Sequence, residues 1–140
     1  MITDDEPRRA TIFQVAHGLS PYRDAMTTHR PNVDIGDRLV APRNEILRAE
    51  VGSGVHGMAI PGTDDHDELA VYVEEPEQLL GLAAAPGHWV WRTQPMGARS
   101  GPGDIDLTAY SLRKFLRLAV AGNPTVLIPF FVTGASLMRT

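Results

Sequence analysis

Residues 51–74 read VGSGVHGMAIPGTDDHDELAVYVE. The last eight, DELAVYVE, have the β-branched and aromatic content and the length of a strand. Just before and at its mouth, Asp64, Asp65, Asp67 and Glu68 crowd into five positions. Like charge packed so densely beside an apolar run is unfavourable unless a cation, most simply a metal ion, sits among the acids. Upstream, GSGVHG follows RNEILRAEV, which reads as a turn or short helix running into a strand that ends at Gly52. That glycine-rich turn is expected to open a short helix, where free backbone N–H groups and the helix dipole favour a phosphate. Ser53 adds a hydroxyl donor, and Gly52 and Gly57 permit close backbone approach.

Working outward, EEPEQLLGL carries Pro76 where a first helical turn tolerates it, and Gly81 near its end. HWVWRTQ alternates like a strand. GDIDLTAY alternates more cleanly, with Asp104, Asp106 and Thr108 on one side and Ile105, Leu107 and Ala109 on the other. In SLRKFLRLAVAGNP, Ser111 is a plausible N-cap, and Leu112, Phe115, Leu116 and Ala119 recur at helical spacing before Gly122, Asn123 and Pro124 stop the helix. The order strand, turn, strand, helix, strand, strand, helix predicts an α/β (α+β) fold, a small mixed β-sheet flanked by helices. Residues 1–42 read as a loosely ordered N-terminal extension with one short helix, ATIFQVAHG, stopped by Gly18; residues 43–140 form the domain proper.

Composition narrows the function classes. The chain has 140 residues, one domain's worth, and a net charge of −4, which argues against bulk attraction to nucleic acid or an anionic membrane unless a local basic patch exists. With no cysteine, disulfides and thiolate metal sites are excluded. No apolar run approaches a membrane span, and MITDDEPRRA lacks a signal-peptide core, so a cytoplasmic protein with no membrane partner is expected.

Asp65 and Asp67 are two apart, so on a strand beginning by Asp65 both project from one face. Two such carboxylates with a third on a neighbouring strand suit Mg²⁺ (or Mn²⁺), which prefers oxygen ligands and shares its shell with substrate phosphates. Asp106 is the best third carboxylate and Asp104 its rival. Two ions held this way would stabilise the attacking and leaving oxygens of an in-line phosphoryl transfer.

These residues resemble a known family. GSGVHGMAIPGTDDHD is similar to the Gly-Ser … [Ser/Thr]-Asp-x-Asp signature of the DNA polymerase β-type nucleotidyltransferase superfamily. DLTAYSLRKFLRLAVAGNPTVLIPFF is similar to the segment that follows in the predicted nucleotidyltransferases found beside RNA ligases, which also occur in bacteriophages. The resemblance covers roughly residues 44–132. It implies transfer of a nucleoside monophosphate from a nucleoside triphosphate such as ATP to a hydroxyl of an RNA, protein or small-molecule acceptor. Carried over by position, Gly52 and Ser53 match the phosphate turn, and Gly57, which permits close backbone approach, joins them as a nucleotide-binding candidate. Asp65, Asp67 and Asp106 become the catalytic and metal-binding carboxylates, and Asp106 could help deprotonate the acceptor. The family pattern places Asp-x-Asp straight after the Ser or Thr. Thr63-Asp64-Asp65-His66-Asp67 therefore carries one extra residue or replaces the second acid with His66. Relatives also continue past the Asn-Pro segment, which leaves a minimal, a partner-dependent and an inactive domain all open.

Plainer readings stand beside these. An acidic run alone is usually a solvated loop. His56 and His66 with Asp64 form an incomplete zinc set, with no third nitrogen ligand evident. Arg113, Lys114 and Arg117 suit phosphates or an RNA acceptor as well as a solvated helix face. Trp89 and Trp91 share a face and could stack a base, though packing is the expected role. TVLIPFFV fits an intrachain core or a second copy of the chain. Two other functions remain in view: a non-catalytic nucleotide- or partner-binding, antitoxin-like module of the same fold, and a metal-dependent phosphohydrolase using DDHD.

Overall fold

A computed structural model describes residues 31–53, 55, 57 and 65–139. Its framework is a six-stranded mixed sheet in the order β1-β4-β5-β3-β2-β6, an α+β architecture as expected. The strands are β1 (Val33–Gly36), β2 (Glu45–Glu50), β3 (His66–Tyr72), β4 (His88–Arg92), β5 (Ile105–Ser111) and β6 (Leu137–Arg139). Only β3 and β5 run parallel; every other neighbouring pair is antiparallel. The helices are short: α1 (Pro76–Leu79), α2 (Leu112–Val120) and α3 (Pro124–Leu127).

Alternation along the strands sorts side chains into two layers. One face buries Leu69, Val71, Phe115 and Val126, with Leu47, Val51, Tyr110, Leu112, Leu118 and Ala119 packed around them. This is the helix face, covered by α2 and α3. The opposite face buries Ala70, Tyr72, Trp89, Trp91, Leu107 and Ala109 against Ala41. Both tryptophans are therefore core residues, and the Trp89 indole donates to Asp34 at 2.7 Å. Truncating a fully packed ring such as Phe115 to alanine would cost about 3–5 kcal/mol.

Local chemistry sets the helix ends. Ser111 caps α2 by accepting from the Lys114 amide, and Asn123, expected only as part of a helix stop, caps α3 through the Thr125 amide. Glu75 and Gln78 close a capping box on α1, with Pro76 at its start. The apolar stripe of α2 differs in one position from the expected one. Leu118 packs inward while Leu116 is half-exposed, because 115, 118 and 119 lie over β3 and the 116–120 edge turns away.

The expected boundary at residue 42 falls inside the sheet. β1 pairs with β4, and Val33, Asp37 and Ala41 are buried. Asp37 accepts from Tyr72, Gln78 and the Gly87 amide, tying the 37–44 turn to β3, α1 and the start of β4. The helix expected over ATIFQVAHG lies outside the described residues. In TVLIPFFV, Val126 and Pro129 are buried within the chain, whereas Phe130 and Phe131 are exposed. No helix among the described residues is long and apolar enough to cross a membrane.

Candidate active site

The parallel register of β3 and β5 sets Asp67 directly opposite Asp106. His66, one residue earlier, pairs with Ile105 on the other face, 3.6 Å from Glu50. Alternation therefore keeps Asp67 and Asp106 together on the helix face and sends His66 away from them. Asp65 precedes the first residue of β3, yet its charge reaches both acids. Burial is the largest cause raising the Asp67 carboxyl above the usual range, followed by Asp65 and Asp106; Arg92 opposes it. Asp106 is raised by burial and by Asp65, against the pull of Arg92. Asp67 and Asp106 thus share one half-buried edge with Asp65, whose charge disfavours the ionisation of both.

Arg92 is the residue that the sequence did not single out. Its Nε donates to Asp106 Oδ1 at 2.9 Å, and its Nη2 lies 2.9 Å from Oδ2, a two-pronged fork that fixes the carboxylate plane. Antiparallel pairing of β4 with β5 sets Arg92 opposite Asp106. The rival Asp104 is committed to structure. It precedes β5, accepts from the Thr93 hydroxyl at 2.9 Å and the Gly101 amide at 2.9 Å, and so closes the turn into the strand.

The glycine turn lies against the acids. The Val51 amide donates to the Asp67 carbonyl at 2.9 Å. A Cβ on Gly52 would stand 3.2 Å from both Asp67 Cβ and Oδ2, so only glycine leaves the carboxylate undisturbed. Ser53 and Gly57 are exposed, and Gly57 has a φ of 68°, favourable to glycine. Gly52, Ser53, Val55 and Gly57 sit in bends and turns; none of them is helical, so the expected helix dipole does not operate at these positions. Asp64 and His56 lie outside the described residues.

Hard carboxylate oxygens fit a magnesium-type ion by donor chemistry. Among the described residues, however, no group of three His, Asp or Glu side chains is placed to hold a metal ion as it stands. The Arg92 fork already engages both oxygens of Asp106.

The mixed sheet thus sets two aspartates side by side on parallel strands, with a glycine turn packed on one of them. Residues 34–133 match the RNA repair pathway DNA polymerase beta family, and the chain belongs to that family. The match begins within β1, consistent with residues 34–42 being part of the domain. No curated protein and no solved structure gives a significant match.

Proposed function

We propose that this chain is a Mg²⁺-dependent nucleotidyltransferase that moves a nucleoside monophosphate from a nucleoside triphosphate to a hydroxyl acceptor. The observation that carries the reading is the Asp67–Asp106 register pair, with Asp65 beside it and Gly52 packed on it, in a member of this family. Asp65, Asp67 and Asp106 would hold the metal, which supplies charge neutralisation for the triphosphate and the leaving pyrophosphate. Gly52, Ser53 and Gly57 would approach the phosphates through backbone and hydroxyl donors. Arg92 orients Asp106 and adds a fixed positive charge at the edge where negative charge accumulates. With its carboxyl already raised, Asp106 is suited to take a proton from the attacking hydroxyl.

One observation favours the second reading, a non-catalytic nucleotide- or partner-binding module. Asp106 is already satisfied by Arg92, so the acidic edge is stable without a ligand. Label transfer separates the two. The chain is incubated with Mg²⁺ or Mn²⁺, each α-labelled nucleoside triphosphate, and pooled RNA and protein acceptors, beside Asp67→Asn. Label on an acceptor, reduced about 10²–10³-fold in the variant, is the expected result. Nucleotide-dependent thermal stabilisation without transfer would assign the binding module instead.

A further inference from the structure

All 17 acidic residues of the chain lie at or before Asp106; residues 107–140 carry Arg113, Lys114, Arg117 and Arg139 and no acid. A net charge of −4 thus conceals a basic C-terminal quarter. The fold concentrates three of those cations. Arg113, Lys114 and Arg117 line a cleft of ≈ 380 Å³ together with Ala85, Pro86 and Gly87. The only acid beside them among the described ion pairs is the buried Glu74, 3.3 Å from Arg113 Nε, which leaves Lys114 and Arg117 as the uncompensated charges.

This cleft is joined to the acidic site. On the helix face, β4 presents His88, Val90 and Arg92, paired with Tyr110, Thr108 and Asp106 of β5. All six are partly exposed, in contrast to the buried tryptophans that alternate with them. Lys114 Nζ lies 3.1 Å from His88 Nδ1 and 5.6 Å from the centre of the Tyr110 ring. Arg92 marks the other end, on Asp106. Four steps along the strand take the chain from His88 to Arg92, roughly 13 Å. The strip therefore has cations at both ends and an aromatic ring near one, and it ends at the carboxylates proposed for transfer.

We propose that this strip and cleft form a groove for the single-stranded nucleic-acid acceptor, with Lys114 and Arg117 on its phosphates and its hydroxyl end at Asp67 and Asp106. The inference rests on the nucleotidyl-transfer reading for its direction, but the groove can be tested without catalysis. Cations spaced along a partly exposed strip are what sequence-tolerant binding to a single-stranded phosphate backbone needs.

The experiment is fluorescence anisotropy with a short labelled single-stranded RNA, without nucleotide or metal, over a series of salt concentrations. Lys114→Gln/Arg117→Gln is expected to weaken binding at least about tenfold and to lower the salt slope by roughly 1.4, since each lost phosphate contact on a single strand removes about 0.7. Nucleotide-dependent thermal stabilisation should remain unchanged in the variant, which separates failure of the groove from failure of the transfer site. Should the double variant prove unstable, Arg117→Glu alone, at an exposed position, is expected to weaken binding with an unchanged melting temperature. Equal affinity and slope in wild type and variant would overturn the proposal. So would equal competition by poly-glutamate, or absence of binding at low salt.

Discussion

Asp67 and Glu68 are neighbours on β3, and the pleat sends them into opposite environments. Glu68 is buried on the far face, where Arg48 Nη1 reaches its Oε2 at 3.0 Å while Arg48 Nε donates to both oxygens of Glu45 at 3.0 Å. Asp67 is only half-buried, beside Asp65, Asp106 and the Arg92–Asp106 fork. Each cluster sets more than one carboxylate against an arginine. In the buried one, burial pushes the Glu68 carboxyl up to about 8, so a proton settles the excess charge. The open one stays partly exposed to solvent, with Arg92 opposing its charge. A charge cluster serves structure when it is closed on itself and can serve chemistry when it is left open, a distinction of burial more than of residue type.

The largest effect is expected at Arg48. Arg48→Ala leaves Glu45 and Glu68 buried without that guanidinium, and a loss of about 3–5 kcal/mol is expected in denaturant unfolding. Unchanged stability would mean that water reaches the cluster and that it is not closed.

A smaller effect is expected from pH. A carboxyl raised in the folded state stabilises fully below its unfolded value, 4.5 for Glu68, and that contribution is lost as pH rises through about 8. Stability is therefore expected to fall progressively as pH rises from about 4.5 towards about 8, as burial makes ionised Glu68 unfavourable. Glu68→Gln should flatten the stability profile in that window while retaining nucleotide binding. A profile as steep as wild type would place the titration elsewhere.

Much of this architecture was legible in the sequence, for identifiable reasons. Strand β3, the alternation in β5 and the Ser111 cap are local patterns, and each pattern needs only its own neighbours to be read. The Asp67–Asp106 pairing was reachable because both acids open apolar strands. Arg92 was not, since its role depends on the β4–β5 register, which a fourteen-residue separation does not reveal. Nor were the edge strands β1 and β6, with four and three residues, long enough to display a period. Asp104 illustrates the opposite error of reading alternation one residue too far. It shares parity with Asp106, yet it belongs to the turn, where Thr93 and Gly101 hold it.

Arg92→Gln has the smallest expected effect. The glutamine keeps one donor for Asp106 but removes the positive charge, so Asp65, Asp67 and Asp106 face one another with less compensation. Without metal, stability should fall by about 1 kcal/mol at neutral pH, the scale of a partly exposed charge interaction. Addition of Mn²⁺ should restore it, and Mn²⁺ affinity measured by titration calorimetry should rise about severalfold to tenfold, since the freed Asp106 oxygens no longer answer to a guanidinium. Weaker Mn²⁺ binding would reverse that assignment: Arg92 would then hold Asp106 in the geometry an ion needs. In either case the response separates this cluster from the one around Arg48, whose closed carboxylates give Mn²⁺ no entry and whose stability should not depend on it.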